Sequence, residues 1–189
     1  MTADVRLVTQ RLVLRRFRSG DAGALAAYRS DPAVARYQSW DVPVTLEAAA
    51  ELTEVFAGGN LTRPGRFQYA VERLSDSVLV GDVGVSLHHN RMQAEIGFTL
   101  ASDCQGRGYA TEAVGQVLEH LFTTRNLRWI SAQCDARNTS SLRLLRRLGF
   151  VEEGRQRTRI WVNCEWTDHL LLRLLAANWR PSEAPCCDI

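Results

Sequence analysis

One amphipathic helix, introduced by a glycine-rich turn, constrains the fold of this chain more than any other segment. Between Gly108 and Phe122 the apolar residues recur with the i, i+3, i+4, i+7 spacing of one helical face. These apolar residues are Ala110, Ala113, Val114, Val117, Leu118, Leu121 and Phe122. Such a stripe has to be buried against a sheet or another helix, so the pattern predicts a layered core.

The turn before this helix predicts an anion site. It reads Gln105-Gly-Arg-Gly-Tyr-Ala110 and follows a predicted strand. Its glycines let backbone N–H groups approach a ligand, and the helix start adds unpaired donors and about half a positive charge. Together these features suit a phosphate group, to which Arg107 could add a charge-assisted contact.

Two other phosphate-binding patterns do not fit this turn. A P-loop requires a lysine followed by Ser or Thr, and the sequence contains no lysine. A dinucleotide fingerprint requires a third glycine where this chain has Thr111.

The remaining patterns predict a mixed sheet flanked by helices. Strands are expected over residues 11–17, 67–73, 78–87, 92–100, 129–134, 150–155 and 166–175, the last with a Leu-rich end that also suits a helix. Further helices are expected over residues 21–29, 46–56 and 139–147. Hairpin-like strands in the middle and alternating elements in the second half indicate an α/β or α+β domain.

Length and composition set further expectations. The 189 residues suit a single domain over 1–180 with a disordered tail over 181–189. A net charge of +2 does not indicate nucleic acid, and no apolar run reaches the roughly 20 residues of a membrane helix. Five scattered cysteines without metal-site spacing indicate reduced thiols in a cytoplasmic protein and no metal. Either a monomer or a homodimer is compatible with these features.

Several segments in the same order resemble the GNAT superfamily of acyl-CoA N-acyltransferases, in its RimJ/RimL-like branch. Besides the glycine-rich turn, they are Gly81–Gly84, Ala94–Phe98, Asn138–Ser141 with Leu148–Phe150, and Glu165–Asp168. The resemblance covers residues 7–179. It implies a central mixed sheet that splays open, so that acetyl-pantetheine inserts between two strands and acetyl-CoA is the co-substrate.

By this resemblance, two segments and one helix start hold acetyl-CoA. The expected cofactor-binding residues are Phe98, Thr99, Leu100, Gln105, Gly106, Arg107, Gly108, Tyr109, Ala110, Thr111, Asn138 and Ser141. Asn138 is also a natural N-cap for its helix, and both roles are compatible.

Two side chains are expected to take part in proton transfer. Glu95 shares a strand face with Gly97 and Thr99, and a carboxylate amid apolar neighbours could act as base, directly or through water. The alternative is a carboxylate that only orients the substrate or pairs with an arginine. Many GNAT enzymes carry a tyrosine acid where this chain has Leu145, so Ser141 remains the candidate partner of the CoA sulfur. An acetylated Cys134 is not expected, because no basic group other than Arg137 flanks it.

The acceptor side is less well defined by the sequence. Trp40, Asp41, Glu95, Trp161 and Glu165 are expected to line it, since aromatic rings and carboxylates suit a cationic amine, although the tryptophans equally suit a core. The favoured acceptor is a small polycation such as an aminoglycoside, which would make this a resistance enzyme. The alternatives are the N-terminus of a ribosomal protein, or a non-catalytic sensor that binds CoA.

Overall fold

The computed structural model describes residues 6–162 and 165–180. Its elements are β1 (Leu7–Val8), β2 (Leu12–Arg15), α1 (Ala22–Ser30), α2 (Pro32–Ala35), α3 (Leu46–Ala57), β3 (Gly65–Arg73), β4 (Leu79–Leu87), β5 (Gln93–Leu100), α4 (Tyr109–Glu119), β6 (Trp129–Asp135), α5 (Thr139–Arg147), β7 (Val151–Val162) and β8 (Glu165–Leu175). Short 3₁₀ turns lie at Ser19–Asp21, Ser102–Cys104 and Ala176–Asn178. The predicted disordered tail over 181–189 lies outside the described residues, as does Cys164.

The strands form one mixed sheet in the order β1-β2-β3-β4-β5-β6-β8-β7. Neighbours are antiparallel except β5 and β6, which run parallel and are connected through α4. A parallel pair requires such a crossover, because a tight turn reverses the direction of the chain and can join only antiparallel strands. The predicted mixed α/β sheet, splayed and flanked by helices, is therefore confirmed.

The larger core lies between the sheet and helices α4 and α5. The predicted stripe of α4 faces it, with Val114, Val117, Leu118 and Leu121 fully buried. Full burial of one such aliphatic side chain stabilises the fold by about 1.5–3 kcal/mol. None of the helices in the described residues is long and apolar enough to cross a membrane.

A second core packs α1 and α3 against the sheet, beside a buried carboxylate. Asp82 accepts hydrogen bonds from the Tyr28 hydroxyl and, at 2.5 Å, from Gln68 Nε2, and Arg29 Nη2 lies 3.6 Å away. These partners matter because a buried charge without them costs several kcal/mol. Gly84 leaves room for Gln68, whose Oε1 would lie 2.7 Å from a Cβ at that position.

Besides the short strand β1, which was not predicted, the structure departs from the predicted elements in three places. Residues 32–35 form α2, because Asp31 accepts a bond from the Ala33 N–H (2.8 Å) and Pro32 occupies the first helical position. Helix α4 ends at Glu119 and continues as a π-helical turn, His120–Thr124, which keeps Leu121 buried. Strand β7 runs to Val162 rather than stopping at 155. It is a polar edge strand without apolar alternation, so its full length could not be predicted from the pattern.

Candidate active site

The sheet opens between β5 and β6. The two strands pair from Gln93 with Trp129 to Ile96 with Ala132, and beyond that point β6 continues its pairing with β8. The described segment from Gly97 to Leu100 therefore pairs with β4 on one side and faces the gap on the other. Its backbone groups on that side are available to a ligand inserted between the strands.

The glycine-rich turn closes one end of this gap. Gly106 (φ 73°) and Gly108 (φ 81°) adopt left-handed backbone conformations, which glycine tolerates without steric cost. Gly108 is the N-cap of α4 and makes no side-chain capping bond, so the first N–H groups of α4 have no intrahelical acceptor. The Gln105 side chain anchors the turn by donating from Nε2 to the Leu100 carbonyl (3.1 Å).

An arginine from the N-terminal region braces the outside of the turn. Arg11 donates to the Arg107 carbonyl (3.0 Å) and to Glu112 (2.7 Å), and its guanidinium lies 4.7 Å from the Tyr109 ring centre. Burial alone would raise the pKa of Glu112, but hydrogen bonds from Thr9 and Arg11 lower it overall. Glu112 thus remains a carboxylate beside the positive end of the helix.

A groove of about 620 Å³ runs from this turn along the gap. That volume lies within the roughly 300–1,000 Å³ of ordinary ligand pockets. The predicted cofactor residues that line it are Phe98, Thr99, Leu100, Gln105, Gly106, Gly108, Tyr109, Ala110, Thr111, Asn138 and Ser141. Arg107 is exposed and is not part of the lining, and its expected contact with the ligand stays a prediction.

Three arginines that the sequence analysis missed contribute to the groove. Arg36 follows α2, and Arg143 and Arg147 lie one turn apart on α5. With the free N–H groups of α4 they make the groove suited to a ligand with several phosphates. The i, i+4 spacing of the two α5 arginines could have been found in the sequence, but their position opposite α2 could not.

Helix α5 begins between the two strands that separate. Asn138 caps it, accepting from the Ser141 N–H (3.1 Å), as predicted. Its Oδ1 is thereby engaged, and Nδ2 is the amide atom left for a ligand. Ser141 also lies in the gap, and Leu145, one turn later, is buried with no donor to offer.

A second, smaller cavity of about 150 Å³ adjoins the groove. Five residues line both spaces, so the two meet at their side chains: Tyr37, Gln38, Phe98, Asn138 and Ser141. The small cavity extends from there along the ends of β6 and β8. Its further lining includes Gln133, Cys134, Asp135, Ile160 and His169.

Two ionisable groups of the small cavity are held in defined states. Burial raises the pKa of Cys134 to about 11, so its thiol keeps its proton near neutral pH. Burial would raise the pKa of Asp135, but bonds from Arg137 (2.7 and 3.0 Å) lower it overall. Within residues 6–162 and 165–180, no group of three or more His, Cys, Asp and Glu residues is placed to hold a metal ion.

The predicted acceptor residues before α3 lie outside both cavities. Trp40 packs in the second core and donates from Nε1 to the Arg29 carbonyl (3.0 Å). Asp41 is exposed. Their neighbours Tyr37, Gln38 and Ser39 line the small cavity instead.

The other predicted acceptor residues surround the small cavity without lining it. Glu95 is exposed rather than enclosed by apolar groups, and it accepts from Nε2 of Gln133 (3.2 Å). Glu165 pairs with Arg137 (2.5 Å). Trp161 is 55% exposed and stacks edge-on against Trp166, at 5.4 Å between ring centres. The roles assigned to these residues stay predictions.

Comparison with known proteins gives a family match over most of the chain. The Acetyltransferase (GNAT) domain family matches residues 11–151. An uncharacterized N-acetyltransferase of Bacillus licheniformis, p20, is 32% identical over 150 residues, which cover 78% of this chain and 83% of the relative. The [ribosomal protein uS5]-alanine N-acetyltransferase of Escherichia coli is 25% identical, with 94% of each chain covered.

Solved structures give the same result. RimJ of Mycobacterium smegmatis, in complex with CoA-disulfide, superposes with a TM-score of 0.77 at 27% identity. The match covers 88% of this chain and 82% of that one.

Proposed function

Because the chain belongs to the GNAT acetyltransferase family and transfers the acetyl group of acetyl-CoA to an amine, we propose that its acceptor is a peptide N-terminus. The size of the small cavity carries this proposal. At about 150 Å³ it is smaller than the roughly 300–1,000 Å³ pockets that enclose whole ligands. It suits one amine with a small side chain, presented at the end of a longer chain.

Charges around the small cavity favour a singly charged acceptor over a polycation. Asp135 and Glu165 both pair with Arg137 (2.7 and 2.5 Å). Asp168, further along β8, pairs with Arg155 (2.8 Å). A polycation such as an aminoglycoside needs several carboxylates that are not already neutralised, because charge complementarity governs such recognition.

One relative supports the same acceptor class. The Escherichia coli enzyme that this chain matches over 94% of both lengths acts on an alanine of ribosomal protein uS5. Alanine has a side chain small enough for the cavity proposed here. This differs from the polycationic acceptor that the sequence favoured, which becomes an arm of the test below.

The groove fits acetyl-CoA by its donors. The backbone edge at 98–100, where the Leu100 carbonyl already accepts from Gln105, would pair with the pantetheine arm through its remaining groups. The N–H groups at the start of α4 would hold the pyrophosphate. Arg143 and Arg147 would contact phosphate oxygens. When bound, the thioester supplies an acetyl group activated for transfer.

Ser141 and Asn138 are proposed to act where the two cavities meet. There the Ser141 hydroxyl can hydrogen-bond the sulfur that leaves, while Asn138 Nδ2 orients the pantetheine arm. Glu95 is proposed to attract the ammonium from the rim, through its position beside Gln133.

A thiol-release assay with three acceptor classes tests the proposal. The wild-type protein and acetyl-CoA are mixed with peptides beginning with Ala, Ser or Trp, with linear polyamines, and with aminoglycosides. We expect release with the Ala and Ser peptides and little with the Trp peptide, whose side chain exceeds the cavity. Release with aminoglycosides alone would contradict the proposal.

A further inference from the structure

A buried histidine lies in the wall of the small cavity. His169 is on β8, directly opposite Asp135 of β6, and is 7% exposed. It lines the same cavity as Asn138 and Ser141, the residues shared with the cofactor groove. An imidazole here faces the space in which the acceptor amine is proposed to bind.

Neither ring nitrogen of His169 has a hydrogen-bond partner among the described residues. On the other side of His169, Gln156 of β7 is its register partner, and Gln156 Oε1 is buried without a partner as well. Buried polar groups in proteins are nearly always hydrogen-bonded, and a pair of neighbouring exceptions needs an explanation. A ligand with an N–H group would supply the missing partner.

The other groups that face His169 are unsuited to take a proton near neutral pH. Cys134 keeps its own proton, since burial raises its pKa to about 11. Asp135 is engaged by Arg137, whose bonds outweigh burial and lower its pKa. From the segment after α2, Tyr37 contributes a phenol ring, 5.9 Å from the Arg137 guanidinium.

His169 differs from these groups in its protonation. Burial lowers its pKa below the usual value of 6.5, opposed by the charge of Asp135 and aided by that of Arg137. The imidazole is therefore neutral at pH 7, with a free lone pair. Asp135 and Gln156 Oε1 lie on either side to stabilise the imidazolium once it forms.

We propose that His169 is the catalytic base, accepting the proton that the acceptor ammonium loses before it attacks the thioester. The inference rests on the function proposed above and adds a residue that the sequence analysis did not consider.

Two protons leave the acceptor nitrogen during the transfer. One ammonium proton passes to a ring nitrogen of His169, and the freed nitrogen lone pair forms the C–N bond to the acetyl carbonyl carbon. The C–S bond breaks with its electron pair going to sulfur, and a second proton from the amine nitrogen goes to the thiolate, with Ser141 as hydrogen-bond partner. The imidazolium then releases its proton to solvent, giving an amide, free CoA and one proton.

The test measures kcat/KM against pH for the wild type and His169→Gln, with acetyl-CoA and an Ala peptide. In the wild type the rate should fall at acid pH as the imidazole is protonated, with a midpoint below the value of about 6.5 of a free histidine, because burial lowers the pKa of His169. In His169→Gln that fall should disappear, and the rate at pH 7.5 should drop roughly 10²–10⁴-fold, the usual contribution of a general base. The Kd for acetyl-CoA, measured by calorimetry, should stay unchanged.

Two further variants separate catalysis from folding. His120→Asn removes a half-buried histidine that lines neither cavity and should keep the wild-type rate and pH profile. His169→Leu removes an unpartnered polar group, so its melting temperature should equal or exceed that of the wild type while activity is lost.

The outcomes distinguish the two proposals. Wild-type turnover with an unchanged rate and pH profile in His169→Gln would overturn the base assignment alone, and loss of the low-pH fall in Glu95→Gln instead would give the role to Glu95. A lower melting temperature of His169→Leu would make the residue structural. No thiol release by the wild type with any amine would overturn the proposed function, and the base assignment with it.

Discussion

The two cavities that meet at Asn138 and Ser141 differ in the kind of polar group that they offer to a ligand. The groove offers many backbone donors beside its arginines: a strand edge at 97–100, two left-handed glycines and the first N–H groups of α4. The small cavity is lined by residues that come together from β5, β6, β7, β8, α5 and the segment after α2, and its polar groups include the side chains of Asn138, Ser141 and His169. In the function proposed above, backbone donors would bind acetyl-CoA, which is common to all acceptors, whereas the side chains of the small cavity would bind the acceptor and could differ with it. Four substitutions test this difference between the groove and the small cavity: His169→Gln, Gly108→Ala, Ser141→Ala and Glu95→Gln. The largest effect is expected from His169→Gln.

The largest effect on the groove is expected from Gly108→Ala. A Cβ strains the left-handed conformation by about 1–2 kcal/mol and displaces the N–H groups that follow. Losing one charge-assisted bond worth about 1.5–3 kcal/mol raises the Kd for acetyl-CoA roughly 10- to 150-fold. Calorimetric titration with acetyl-CoA measures the change.

Gly149→Ala is the matched control for backbone strain. Gly149 has a φ of 91° and lines neither cavity. Both variants should lose similar stability, and only Gly108→Ala should lose affinity. Equal Kd values in the two variants would show that the groove does not depend on the turn.

A smaller effect is expected at the junction, from Ser141→Ala. Loss of one neutral hydrogen bond, worth about 0.5–1.5 kcal/mol, should lower kcat roughly 2- to 12-fold at an unchanged Kd for acetyl-CoA. Steady-state kinetics with a saturating peptide measure it, with Thr139→Ala as the control for loss of a hydroxyl on α5. An unchanged kcat in Ser141→Ala would show that the serine does not assist the departure of the CoA sulfur.

The smallest effect is expected on the rim, from Glu95→Gln. An exposed charge contributes up to about 1 kcal/mol, so the KM for the acceptor should rise by at most about fivefold, with kcat nearly unchanged. The effect should weaken at 0.5 M salt because of screening. Glu51→Gln, on the exposed side of α3, is the control, and a large loss of kcat in Glu95→Gln would assign the base to the rim.

The same contrast explains what could be predicted of the fold. The α4 stripe, the strands at 67–73 and 78–87 and helix α5 follow local periodicity, and the structure confirms them. The start of α2 had a signal too, Asp31 before Pro32, which is an N-cap and first-position pair. The extension of β7 had no such signal in the sequence, because a polar edge strand shows no apolar alternation.

For the candidate site, the sequence alone locates the parts that are local in the chain. The glycine-rich turn and the cap at Asn138 are continuous in the chain, so their chemistry is visible in a few letters. His169 was not considered because its meaning comes from Asp135 and Gln156 on neighbouring strands and from the cavity they share. The aromatic character of Trp40 suits either the acceptor or a core, and the structure packs its partly buried ring against the second core.

The gap between β5 and β6 has a mechanical consequence. Four residue pairs make up the described ladder that joins β1–β5 to the strands β6, β8 and β7. A molecule inserted beyond Ile96 would take the place of a strand and would form hydrogen bonds where β5 and β6 no longer pair. Ligand binding would then slow amide exchange at 97–100 and tighten the coupling between the two halves of the sheet. In this way the co-substrate becomes a temporary part of the architecture that holds it.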